Sequence, residues 1–324
     1  MTLETTTKFV TQEIRQFYER KMLDIAKTDI EFERFGKPAT IPAREGKSAQ
    51  WRRFEKITVS STIANYTLLE GTAPASTAAT ISAVSASISQ YGQWSEITDV
   101  LETQAIDPLI SSYTEAYGEA MARGRDMVVR AEFSNATTIQ YAGAATVVGT
   151  SGAGSVGSGN YLNAAEIMEA KRTLRRNGAK KIGANYVMFI HPDNEHDLFQ
   201  DPDVVDAFQF AAQRGGANPL FSGEIGDYMG VHFISTNNLL IHSSYGMSGA
   251  DTYECVMFGD GFYGVTHLAA LPPKIIIHPR GTGGHTDPLD QKSTVGWKVA
   301  MAAKILNNDF GVLVHCASSR SNSA

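Results

Sequence analysis

From Ile57 to Gln90 the chain carries a single charged residue, Glu70, in a stretch dominated by Ala, Ser and Thr. Val84, Ala86 and Ile88 share one parity against Ser85, Ser87 and Ser89, the period-2 mark of a strand. A turn-like Gly71-Thr72-Ala73-Pro74 separates this run from an earlier extended one, Trp51 to Val59. The pattern predicts a long hairpin-like excursion. Two strands of small residues are marginal in water by themselves, so this hairpin needs a partner surface.

The rest of the sequence reads as a folded chain. Its 324 residues leave room for two domains, and 43% hydrophobic against 19% charged residues is the balance of a globular protein. A net charge of −6 argues against a dedicated nucleic-acid binder, though not against a surface that merely faces DNA. Cys255 and Cys316 lie in apolar, strand-like runs and read as reduced, buried thiols; two cysteines make no disulfide framework. Met1 to Val10 has Glu4 and Lys8 among threonines and does not resemble a signal peptide. No window approaches the ~18 apolar residues of a membrane span, so no membrane partner is expected.

Residues 7–27 predict a helix with Val10, Ile14, Phe17 and Tyr18 on one side. Thr28 to Lys56, broken by Pro38 and Pro42, reads as an extended arm too poor in apolar residues for a core of its own. Asp107-Pro108 is a cap followed by proline at the first helical position. Apolar residues including Tyr113, Tyr117, Met121, Val128 and Ala131 then recur at helical spacing to about Asn135. Residues 142–160 form a Gly/Ser-rich connection; with no Gly-Lys-Ser/Thr it is not a phosphate loop. Asn163 with Glu166 predicts a capped helix ending at Gly178. Tyr186–Ile190, Val231–Ser235 and Glu254–Phe258 read as strands, and Asp193 and Asp201 as caps of short helices. This mixture over 136–265 is an α+β pattern. Lys274–His278 and Val295–Val314 read as long strands linked by the turn Gly281-Thr282-Gly283-Gly284.

Candidate chemistry is thin. His191, Glu195, His196 and Asp197 are the one dense group of potential metal ligands, but a helix capped at Asp193 leaves His191 off the helical face. No Gly-x-Ser-x-Gly elbow is present, and Ser155 and Ser222 lack a strand-to-helix setting. No catalytic residue, cofactor or metal is assigned. Arg44, Lys47, Arg52, Arg53 and Lys56 form a local positive cluster beside Trp51 and Phe54. In a self-assembling chain these cations and Glu70 are candidate contacts between subunits, the cations meeting acidic neighbours.

Arm, hairpin-like loop, long helix, α+β body and long C-terminal strands follow one another in the order of the Hong Kong 97-type capsid fold. The wording resembles one family of phage major capsid proteins, typified by podophages with a giant virion RNA polymerase. The similar segments are Thr173-Leu174-Arg175-Arg176-Asn177-Gly178-Ala179, Tyr186-Val187-Met188-Phe189-Ile190-His191-Pro192-Asp193, Asp197-Leu198-Phe199-Gln200-Asp201-Pro202, Asn218-Pro219-Leu220-Phe221-Ser222-Gly223-Glu224-Ile225-Gly226, and Asp287-Pro288-Leu289 with Gly296-Trp297-Lys298. The resemblance implies an α+β chain divided into N-terminal arm (1–49), extended loop (50–100), spine helix (101–135), axial domain (136–270) and peripheral domain (271–324). It implies hexamers and pentamers of the chain forming an icosahedral head, in a virion assembled in the bacterial cytoplasm.

The partners so implied are the chain itself, a scaffolding protein, a portal protein, a possible decoration protein, and double-stranded DNA by non-specific proximity. Some relatives weld subunits through a loop lysine. No lysine lies between Lys56 and Lys171, so no such crosslink is expected. An arm at 1–49 is too short to include a scaffolding region, which implies a separate scaffold or its earlier removal. An encapsulin-like compartment shell and, further off, a soluble hydrolase are the competing readings.

Overall fold

The computed structural model describes residues 31–55, 57, 67–68, 70–71, 78–105, 109–143, 156–205, 226–280, 289 and 291–320. The expected helix at 7–27, the Asp107-Pro108 cap, most of the Gly/Ser-rich connection, all but the last residue of the Asn218–Gly226 segment and the Gly281–Gly284 turn lie outside them. In chain order the strands and helices are β1 (Lys37–Ile41), β2 (Ser48–Phe54), β3 (Ile81–Ser87), β4 (Ser89–Thr98), α1 (Asp99–Gln104), α2 (Leu109–Phe133), β5 (Ile139–Tyr141), α3 (Ala164–Arg176), β6 (Tyr186–Ile190) and α4 (Pro192–Gln200). They continue with β7 (Asp227–Tyr228), β8 (Val231–Ser235), β9 (Ile241–His242), β10 (Thr252–Phe258), β11 (Tyr263–Leu268), β12 (Lys274–His278), β13 (Lys292–Ile305) and β14 (Gly311–Cys316). Two compact units interleave along the chain.

The larger unit takes, among the described residues, parts of Asp29–Gly92, Met121–Lys274 and Lys298–Ala324. Its centre is a sheet in the order β5-β14-β10-β6-β8-β7, with β9 on β10. Every residue of β6, β10 and β14 is buried, because both faces of these strands are covered. One face carries Met188, Ile190, Cys255, Met257, Val312 and Val314 against α3 and α4. Helix α3 presents Ala164, Ile167, Ala170 and Leu174 to it at helical spacing. The Asn163 side chain caps α3 by accepting from the Glu166 N–H at 2.9 Å, and Gly178, at φ +77°, closes its C-terminal end.

The opposite face holds an aromatic cluster. Phe133, at the end of α2, has ring centroids 5.0 Å from Tyr263, 5.6 Å from Phe32, 6.1 Å from Phe262 and 6.2 Å from Phe189. Phe32 lies 4.8 Å from Phe189. Gly311 is required here: a Cβ would fall 2.2 Å from the Phe262 ring. The buried positions in the second half of α2 are Asp126, Val129 and Phe133, not the expected Met121, Val128 and Ala131; Ala131 is exposed. A buried aspartate breaks the apolar pattern that sequence reading relies on. Asp126 is tolerated because its carboxylate accepts the Glu31 N–H at 3.2 Å. Burial raises its pKa to about 6, against the backbone donors of Glu31 and Phe32.

The stretch read as an arm is, where described, built into its own subunit. β1 pairs in parallel with β11 from Lys37↔Gly264 to Ile41↔Leu268. Phe32 is fully buried and its carbonyl accepts the Tyr263 hydroxyl; Glu33 pairs with Arg125 and His267, each at 2.6 Å. Few apolar residues suffice when each one lands in a core already present. The C-terminal run expected as one long strand region is two strands divided by a short 3-10 turn, Asn308–Phe310.

The smaller unit takes, among the described residues, parts of Gln93–Ala120 and Ile275–Trp297. Ile97 and Val295 are fully buried in it, and Ser293 donates to the Ile97 carbonyl at 3.3 Å. Lys292 meets Glu96 at 3.0 Å. Gly296 lets the strands close, since a Cβ there would lie 2.7 Å from the Gln93 carbonyl oxygen. Ser95 and Tyr117 share a hydroxyl–hydroxyl bond.

Phe133→Ala removes the ring shared by the arm junction, α2 and the sheet. We expect a loss of about 3–5 kcal/mol in denaturant unfolding; a loss below about 1 kcal/mol would show that the cluster does not hold the unit together.

Candidate assembly surfaces

The hairpin expected from alternating small residues is present. β2 and β3 pair antiparallel from Ser48↔Ser87 to Phe54↔Ile81. Its inner face carries Ala49, Trp51 and Arg53 with Ser82, Val84 and Ala86. Trp51 covers Gly264, where a Cβ would lie 2.8 Å from the indole. Arg53 bonds Glu55 at 2.6 Å and the Leu306 carbonyl at 3.2 Å. The Ser82 hydroxyl and Arg53 hold the Glu55 carboxyl below its usual pKa range.

The outer face is uncovered. Phe54, 75% exposed, sits directly opposite Ile81, 55% exposed. Ile57 and Leu68 are also exposed. Two large apolar side chains exposed at facing register positions, Phe54 and Ile81, mark a candidate interaction surface.

The expected contact residues take different positions. Arg52 stands on the outer face between Gln50 and Phe54, and Arg44, at φ +71°, and Lys47 lie exposed in the β1–β2 connection. Among the described residues no carboxylate pairs with these three. Arg53 faces inward and is engaged within its own subunit. Glu70 is exposed in a separate turn beside Gly71, and Lys56 lies outside the described residues. Sequence reading passed over a second cationic group, Lys171, Arg172, Arg175, Arg176, Lys180 and Lys181, although its signal is plain in the run from Lys171 to Lys181.

The candidate metal residues do not converge. His191, not Asp193, caps α4: its Nδ1 accepts the Asp193 N–H at 3.2 Å, and Pro192 opens the helix. Asp197 turns away to accept the Ser319 N–H at 2.9 Å. Among the described residues no three His, Cys, Asp or Glu side chains are grouped to hold a metal ion. No described helix is long and apolar enough to cross a membrane.

A buried polar group, missed in the sequence, lies on the sheet beside the aromatic cluster. Glu254 is buried, accepts from Ser134 at 3.1 Å and from His242 at 3.0 Å, and stands in register with His315. Serine and histidine both end on the carboxylate, so no base faces the hydroxyl as nucleophilic catalysis requires. His315 is buried, and desolvation, then His242, lower its pKa to about 4. Cys255 and Cys316 are buried free thiols with sulfurs 3.9 Å apart. The neighbouring thiol and burial push Cys316 well above its usual range.

Comparison with known proteins gives one direction. The sequence matches the model of a family described as phage capsid protein over residues 58–314. Comparison with curated proteins returns no match. The fold is similar to the capsid of cyanophage P-SCSP1u (18% identity, TM-score 0.68, 96% of this chain and 95% of that one). It is similar to the capsid of Ralstonia phage GP4 (14%, 0.70, 99% and 100%) and to the capsid asymmetric unit of cyanophage Pam1 (14%, 0.72, 96% and 98%). The architecture is the α+β Hong Kong 97-type capsid fold.

His315 supplies a pH test. Its pKa falls from about 6.5 unfolded to about 4 folded, so its contribution is complete above pH 6.5 and is lost as pH falls through 4. Asp126, with a raised pKa, has the opposite sign, so the comparison is with His315→Gln. Wild type should lose about 3 kcal/mol more than the variant between pH 7 and pH 4. Parallel pH profiles would contradict the assignment.

Proposed function

The chain belongs to the phage capsid protein family, and we infer that it is a major capsid protein of an icosahedral head, assembling as hexamers and pentamers whose neighbours cover one another's hairpins. The observation that carries this is the Phe54–Ile81 pair on the outer face of a hairpin already seated on its own subunit by Trp51 and Arg53. Burying such a side chain contributes about 1.5–3 kcal/mol, repeated at every copy of the contact. Closed rotational symmetry reuses one surface in rings of five or six.

By role, the chain divides into arm (1–49), extended loop (50–100), spine helix (101–135), axial domain (136–270) and peripheral domain (271–324). Arg44, Lys47, Arg52, Lys56 and Glu70 belong to the contacts of the arm and loop with neighbours, and Arg53 supports the loop from inside. The resemblance carried by the motifs quoted above supports reading the chain as a capsid protein of podophages that package a giant RNA polymerase. Its partners are further copies of itself, a scaffolding protein, a portal protein, a possible decoration protein, and double-stranded DNA enclosed without sequence recognition. Its work is structural, in a virion assembled in the host cytoplasm.

The test is Phe54→Asp with Ile81→Asp. Both side chains are exposed, so unfolding of the isolated subunit should change by no more than about 1 kcal/mol. Closed particles in negative-stain images should be lost. Normal shells from the double variant would show that this face meets no neighbour.

A further inference from the structure

The charge on α3 and α4 is segregated in a way the capsid reading does not by itself explain. Residues 171–181 contain six lysines and arginines and no acid; residues 182–213 contain six acids and no lysine or arginine. Outside 171–181 the chain has 22 lysines and arginines against 34 acids, so this run is a dense cationic patch on a chain that is otherwise strongly acidic.

Arg172, Arg175, Arg176, Lys180 and Lys181 are exposed. Met168, Lys171, Arg172, Arg175 and Arg176 line an open depression of about 540 Å³. Among the described residues only Arg172 has a carboxylate partner, Glu169. Lys171 donates to the Met229 carbonyl and Lys181 to that of Ala184, at 2.8 Å, so both reach neutral oxygens. Burial, then Lys181 and Arg175, lower the Lys171 pKa. One or two cations at a helix C-terminus would satisfy its dipole; six exceed that role.

The acids are placed apart from them. Asp201 accepts the N–H of Ala164, the first residue of α3, at 2.7 Å. Arg175 lies eleven residues further along that helix, about 16 Å at 1.5 Å per residue, or roughly two Debye lengths at physiological salt. Asp193 accepts from Tyr253 and Asp197 from Ser319, both neutral donors. No described ion pair joins the two stretches.

We propose that the cationic end of α3 docks on the acidic α4 side of a second copy, around Glu195 and Asp203, head to tail. A surface of this kind can close into a ring because donor and acceptor patches differ and every subunit carries both. It selects the orientation of neighbours and speeds their encounter. The inference rests on the assembly reading above and adds the surface that sets the direction of the ring.

The experiment compares the full-length chain with R175E/R176E, with E195K/D203K and with the fourfold combination. Melting curves, sedimentation and negative-stain particle counts are read on each. Each double reversal should melt like wild type yet lose particles by about tenfold or more, and the fourfold variant should regain them. R175Q/R176Q, which keeps helix propensity, should assemble poorly and with less dependence on NaCl than wild type. Wild-type particle numbers from the reversals, or no recovery in the fourfold variant, would overturn the pairing. So would normal particles from R175E/R176E that have lost only their hold on duplex DNA, which would make the patch a nucleic-acid surface. If wild type forms no particles, the assembly reading itself fails, a result distinct from any of these.

Discussion

The Phe133 ring is where the larger unit is tied together. It touches residues from the N-terminal approach (Phe32), the central sheet (Phe189) and the β10–β11 corner (Phe262, Tyr263). Stretches far apart in sequence are thereby fixed by one patch of apolar surface, at about 25 cal/mol per Å² removed from water. The polar contacts around it are consequences of that placement. Asp126 is buried because the helix must bring Phe133 to the sheet, and it survives burial by accepting backbone N–H groups of the segment that Phe32 anchors.

With the core of the unit closed in this way, the hairpin's outer face stays uncovered within its own subunit. Trp51, Val84 and Ala86 spend the inner face on the subunit; Phe54 and Ile81 are left in water. A chain selected only to fold as a monomer would carry polar residues there. Membership of a capsid family gives the missing cover a natural source in identical neighbours. The buried Glu254 carboxylate is engaged by Ser134 and His242.

Much of this was legible in the residues. Strand alternation located β3, the Asn163–Glu166 cap located α3, and Gly178 located its end, because local backbone chemistry dictates each. What misled was tertiary. Asp126 gives no sign of its burial in the sequence, since its partner comes from residue 31 and not from its own helix. The stretch from Thr28 to Lys56 read as an extended arm, since its apolar content is small and the partners that receive its described part, from Arg125 to Leu268, lie far along the chain. His191 was passed over as a cap because histidine rarely serves as one, and its ring nitrogen fills that role only in the neutral form. The cationic run from Lys171 to Lys181 was readable as charge, but the helix end that gathers it was needed to make it a surface.

The account stands or falls on what covers the hairpin. A side-chain-resolution reconstruction of the assembled particle measures this directly. It should show Phe54 and Ile81 withdrawn from solvent against a neighbouring copy in hexamers and pentamers alike. The same two side chains still facing solvent inside an intact shell would contradict it.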